Sequence, residues 1–118
     1  DDDSDQYLFV LSIEQSLDSL ARSISASINF NNPDFSSYEY QKKWIELSSN
    51  SFLENIIKNE FSPNGLFNDL KQVKKMLHEP VNDSIIVSNE TLNLKKFNLL
   101  LNRYKEFIII LRKSLEEC

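Results

Sequence analysis

The chain has one glycine, one cysteine, one histidine, one tryptophan and three prolines among 118 residues, and each shortage excludes something. A β-sandwich or barrel needs turn residues about every eight to twelve positions, so so little Gly and Pro implies few, long elements. Gly-rich phosphate loops, nucleophile elbows and kinase-type loops all need more glycine than Gly65 can supply. With Cys118 and His78 each the only residue of its type, no internal disulfide can close and no zinc site of sulfur and nitrogen ligands can be completed. The Glu-x-x-His pairs of a di-iron bundle are also missing. No cofactor and no metal are therefore expected. The longest apolar run, Phe107 to Leu111, is five residues, far short of the roughly 18–20 that cross a bilayer.

Catalytic side chains are equally scarce. His78 lies beside Glu79 at the end of a short predicted helix, where an imidazolium reads as an ordinary C-terminal cap. Glu14, Asp18, Glu46 and Glu54 are the carboxylates set well inside the helices of the first half, and all four read as solvent-facing. The chain is read as non-enzymatic.

What is present is amphipathic. Apolar residues make up 41% and charged residues 26%, close to globular averages, and Leu, Ile, Val and Phe are plentiful enough to oppose disorder. At this length one core is supported, with about 65% of the unfolded surface removed from water. Residues 1–118 are thus expected to form a single domain. Its start at Asp1 suggests a processed mature chain or a domain excised from a longer protein.

The net charge of −5 is uneven: residues 1–65 hold 4 basic and 11 acidic side chains, whereas residues 66–118 hold 9 and 7. An acidic chain is repelled by phosphate backbones, so nucleic acid is not an expected partner. Lys71, Lys74, Lys75 and His78 cluster on one helix, which reads as a solvated face.

Periodicity places the helices. Val10, Ile13, Leu17, Leu20, Ile24 and Ile28 return every three or four residues, giving a helix over about 5–29 with Ser4 or Asp5 as its cap. A second stripe, Ser12, Ser16, Ser19, Ser23 and Ser27, reads as an exposed polar face or as a groove for a neighbouring backbone. Asn31-Asn32-Pro33-Asp34 ends that helix. A second long helix is expected from Ser36, where Ser36-Ser37-Tyr38-Glu39 matches a capping box, to Phe61. Ser48-Ser49-Asn50-Ser51 could kink or break it, and Ser51 to Glu54 forms a second such box.

Ser62-Pro63-Asn64-Gly65 is a tight turn, and Leu66, Leu70, Val73 and Leu77 define a third helix of about 13 residues that Pro80 stops. Residues 79–88 read as a linker whose Ile85-Ile86-Val87 packs in extended form. The last helix, about 89–117, carries a seam of Leu94, Phe97, Leu101, Tyr104, Ile108, Leu111 and Leu115, flanked by Leu100 and Phe107. Leu92, Leu99 and Ile110 fall on nearly the opposite face, beside Arg103 and Glu106.

These pieces assemble into an all-α, antiparallel up-down bundle of about four helices, three long and one short, with both chain ends at the same end. The first functional expectation is a protein–protein interaction or scaffolding module that binds another protein, or a second copy, through helix faces. Its candidate partner-binding residues are Tyr40, Trp44, Leu92, Leu99 and Ile110. Aromatic residues at helical spacing more commonly belong to the core, which is the competing reading of Trp44. The second expectation is an extracytoplasmic ligand-sensing domain of a membrane receptor or sensor kinase. It requires apolar spans of about 20 residues on either side in the full-length protein, and only then is a membrane involved.

Overall fold

The computed structural model describes residues 2–78 and 86–116, with side chains described for residues 5–77 and 94–116. Among the described residues every regular element is helical: α1 (Asp2–Ser27), a 3-10 turn (Phe35–Ser37), α2 (Tyr40–Leu47), α3 (Glu54–Glu60), α4 (Leu66–His78) and α5 (Ile86–Glu116). The molecule measures 51 × 27 × 22 Å. Its long axis follows from α5, since 31 residues at 1.5 Å each span about 46 Å.

The all-helical expectation holds, but the division into three long helices and one short does not. Among the described residues two helices are long, of 26 and 31 residues, and three are short, of 8, 7 and 13. The expected second long helix is two separate pieces. Between Leu47 and Glu54 the backbone makes turns in which Ser48 Oγ donates to the Ile45 carbonyl and the Phe52 N–H donates to Asn50 Oδ1. Small polar side chains here take up local hydrogen bonds in competition with the helical ladder.

Neither expected capping box forms. Glu39 caps α2 by accepting the Lys42 N–H at 2.9 Å, Ser36 lies in the 3-10 turn, and α3 starts at Glu54 after Leu53, which supplies no side-chain cap. Ser4 and Asp5 lie inside α1, which begins at Asp2. Ile86 and Val87 belong to the first turn of α5, not to an extended linker, while residues 79–85 and the stop expected at Pro80 lie outside the described residues.

Helix directions also differ from a simple up-down order. Glu14 and Tyr40 meet, and further along Asp18 meets Lys43 while the Leu17 carbonyl accepts from Trp44, so both helices advance together. α1 and α2 are therefore parallel, and residues 28–39 carry the chain back between them. Asn29, with φ of 54°, turns the backbone out of α1, and Phe35 then anchors the return beside Phe30 and Tyr38. Phe9 packs on Phe97 and Ser16 bonds Tyr104, a step of seven residues on each helix, so α1 and α5 are parallel too. Arg103 pairs with Asp69 and Phe107 with Phe67, an opposite sense that makes α4 antiparallel to α5. The start of α1 and the end of α5 consequently lie at opposite ends of the molecule, against the expectation of a shared end.

The core runs the length of this assembly. Val10, Ile13, Leu17, Ala21 and Ile24 of α1 are buried, as are Leu66, Phe67, Leu70 and Val73 of α4. On α5 the buried line is Phe97, Leu100, Phe107 and Leu111, with Tyr104 partly buried. Leu94, the first residue of the expected seam, is instead 65% exposed.

Trp44 fills the centre. It is fully buried, its ring centroid lies 5.2 Å from that of Phe107 and 5.9 Å from that of Phe67, and its indole N–H donates to the Leu17 carbonyl at 3.1 Å. Phe67 in turn stacks on Phe61 at 4.4 Å. At the turn before α4, Gly65 N–H donates to the Ser62 carbonyl, and a Cβ on Gly65 would collide with the backbone carbonyl of Glu60.

Removing the indole leaves a cavity that touches three helices. Trp44→Ala should lower the unfolding free energy by about 3–5 kcal/mol, the usual cost of truncating a buried aromatic, as read by urea denaturation. Gly65→Ala, whose methyl meets backbone and not a movable side chain, should also destabilise in the same measurement.

Candidate functional site

The residues singled out from the sequence do not converge. Trp44 belongs to the core and offers no surface to a partner. Tyr40, half-buried at the start of α2, lines a groove of about 990 Å³ between α1, α2 and α4. Leu99 is 48% exposed and lines a cleft between α4 and α5, next to Pro63, Gln72 and Val73. Ile110 is 44% exposed and lines a different cleft, about 630 Å³, against Ile56 and Asn59 of α3. The side chain of Leu92 lies outside the described residues.

Leu99 and Ile110 are about 16 Å apart along α5 and do not form one continuous patch. Arg103 lies between them and reaches across to Asp69 of α4, which divides the apolar surface into two. Ile109 and Leu94, at 53% and 65% exposure, add further outward apolar area to the same helix.

The groove between α1, α2 and α4 holds the charged groups that the sequence reading placed in solvent. Glu14 is only 7% exposed, and both carboxylate oxygens accept from Lys74 Nζ at 3.1 and 3.4 Å. The Tyr40 phenol lies beside this carboxylate, and Gln41 Nε2 donates to the phenol oxygen at 3.1 Å. Burial, reinforced by the charge of Glu14, pushes the Tyr40 phenol far above its ordinary value of 10.0.

Asp18 is partly buried and shared by two cations. It accepts from Lys43 Nζ at 2.7 Å and pairs with Arg22 at 2.9 Å. Lys43 itself is buried, and its ammonium also donates to the Tyr38 carbonyl at 2.6 Å. Two hydrogen bonds and a carboxylate offset the cost of burying that charge. Glu46 accepts from Asn32 at 3.3 Å, and only Glu54, paired with Lys58, is exposed as expected. Lys74 leaves the solvated face by pairing with Glu14, whereas Lys71 remains exposed; the His78 side chain lies outside the described residues.

The serine stripe of α1 is mainly an exposed face. Ser12 donates back to the Leu8 carbonyl, and Ser16 bonds the Tyr104 hydroxyl of α5. Among the described residues no group of three His, Cys, Asp or Glu is placed to hold a metal ion, and no helix is long and apolar enough to cross a membrane.

Against known proteins, the chain matches no protein family, no curated protein and no solved structure.

The Tyr40 environment has a measurable pH signature. Its proton is held more tightly in the folded state, so its contribution to stability is complete below the ordinary phenol value of 10.0 and is lost as pH rises above it. Denaturation midpoints measured from pH 8 to 11.5 should fall more steeply in the wild type than in Tyr40→Phe. Parallel curves would mean that Tyr40 ionises without resistance.

Proposed function

We propose that this protein is a non-enzymatic interaction module that docks a partner protein along the outward flank of α5. The observation that carries the reading is the exposure of four large apolar side chains, Leu94, Leu99, Ile109 and Ile110, on one long helix. Apolar area left in water is unfavourable by roughly 25 cal/mol per Å², and a partner that covers it recovers that amount. The Arg103–Asp69 pair between the two clefts adds a polar point that can fix the register of such a partner. Scaffolding and self-association are forms of the same reading, differing only in what covers the helix.

A ligand-sensing domain of a membrane receptor is a second reading, favoured by the groove beside Tyr40. It loses one of its motives, because α1 and α5 are parallel and do not present their outer ends together. Apolar spans of about 20 residues flanking the segment in its reading frame would restore it.

The docking reading is tested with Leu99→Glu combined with Ile110→Glu. Both positions are exposed, so stability should change by less than about 1 kcal/mol. Light scattering of the wild type shows whether it self-associates, and affinity capture compares its partners with those of the variant. Loss of association in the variant, at unchanged thermal midpoint, is the expected result. Unchanged association, or none by the wild type, would remove the reading.

A further inference from the structure

Between Leu94 and Glu116 the exposed residues of α5 are four large aliphatic side chains, two asparagines, five cations and two carboxylates. The cations are Lys95, Lys96, Lys105, Arg112 and Lys113, and the carboxylates are Glu106 and Glu116. None of these seven charged groups forms a hydrogen bond or ion pair among the described residues. On a chain with a net charge of −5, the exposed face of one helix therefore stands at +3.

The groups that line the clefts beside this helix do not cancel the excess. Arg103–Asp69 and Lys58–Glu54 are neutral as pairs, and Glu60, whose carboxylate accepts the Leu66 N–H at 2.9 Å, subtracts one charge. A surplus of two remains over the helix and its clefts. Three occupants are disfavoured by these features. A second copy laid α5 against α5 would bring +3 onto +3, and like charges facing each other across an interface repel. A flat lipid surface would meet only the crest of the helix, whereas Leu99 and Ile110 line clefts against α4 and α3. Nucleic acid is a poor match too, since the exposed residues of α5 among those described include no aromatic ring on which a base could stack.

We propose that the partner docked on α5 is an acidic amphipathic helix, its carboxylates set against the five cations and its apolar side chains seated in the clefts at Leu99 and Ile110. This rests on the docking reading and adds the partner's chemistry to it. Leu99 and Ile110 are eleven residues apart, close to three full turns. A helix lying alongside α5 can thus present two apolar residues at the same spacing from one of its own faces. Lys96 borders the Leu99 cleft, and Lys113 stands three residues beyond Ile110, so a carboxylate flanking each apolar residue meets a cation. Glu106 stands between the two clefts, where an uncharged or basic residue of the partner fits.

The test is the fluorescence anisotropy of a labelled, amidated eighteen-residue peptide of alanine and glutamate that carries leucine at its third, seventh, tenth and fourteenth positions. Two control peptides replace its glutamates with lysine or its leucines with serine, and vesicles of phosphatidylcholine and phosphatidylserine are titrated beside them. The acidic peptide should bind the intact chain at least tenfold more tightly than either control, and at least tenfold more weakly in about 0.5 M sodium chloride than at low salt. Lys95→Glu combined with Lys105→Glu and Lys113→Glu should weaken it at least tenfold while the circular dichroism spectrum and thermal midpoint persist. If that set unfolds the chain, Lys95→Gln, Lys105→Gln and Lys113→Gln replace it, with a threefold loss expected. Leu99→Ser with Ile110→Ser, which leaves the charge untouched, should also cost at least tenfold. Suppose Leu99→Glu with Ile110→Glu abolishes partner capture, but the lysine variants retain it and the acidic peptide does not bind. Docking on α5 then stands and the acidic partner falls. If neither set of substitutions alters association and no peptide binds, both fall together. Equal binding of the three peptides, tighter binding to the vesicles, or a wild-type dimer lost in the Leu99 and Ile110 variants would also overturn the acidic helix.

Discussion

The fold depends on the burial of a single indole. Trp44 sits on a helix of eight residues, too short to be stable alone, and yet it is in contact with three other helices. Its ring meets Phe67 of α4 and Phe107 of α5, and its N–H reaches the backbone of α1 at Leu17. An aromatic side chain with an apolar body and one polar atom is suited to this place, because both parts are satisfied at once. Phe67 extends the same cluster to Tyr40 of α2 and to Phe61, the residue that follows α3.

The uneven charge of the two halves has a structural counterpart. Acidic residues on α1 meet basic residues on α2 and α4, through Asp18–Lys43 and Glu14–Lys74, and Asp69–Arg103 joins α4 to α5. These pairs do little for stability once desolvation is set against attraction, but a wrong pairing of helices would strand a buried charge. Their value here is in selecting which helices lie side by side and in which direction. The parallel arrangement of α1 with α2 and α5 is consistent with that role.

Much of this was legible in the sequence and some was not, for identifiable reasons. The stripes beginning at Val10 and Leu66 located α1 and α4 because periodicity reports directly on one buried face. Four small polar residues at 48–51 marked where a kink or break could fall, but not that the helix would divide there. On α5 the expected seam and the observed line share Phe97, Tyr104 and Leu111, but Phe107 packs on Trp44, Leu100 is buried and Leu94 is exposed. Helix direction was not legible, because a connection of twelve residues is long enough to reverse or to return. Phe67 was passed over as the immediate neighbour of Leu66. Glu14 could have been found: it stands four residues after Val10 and three before Leu17, inside the stripe, and Lys74 stands likewise between Leu70 and Leu77. A charged residue at such a position in each of two stripes points to a cross-helix pair, here with Glu14 buried and Lys74 partly exposed.

The division of the second arm into α2 and α3 has a bearing on how the molecule breathes. Helices of 8 and 7 residues have few internal hydrogen bonds of their own, so this arm is held by its packing more than by its own backbone. Trp44 fastens its first half to α1, α4 and α5. When it departs, Tyr40 leaves with it and the groove loses a wall, while Lys43 is released from Asp18. Anything seated against that wall would therefore act as a latch, converting occupancy of a surface cleft into protection of the aromatic centre.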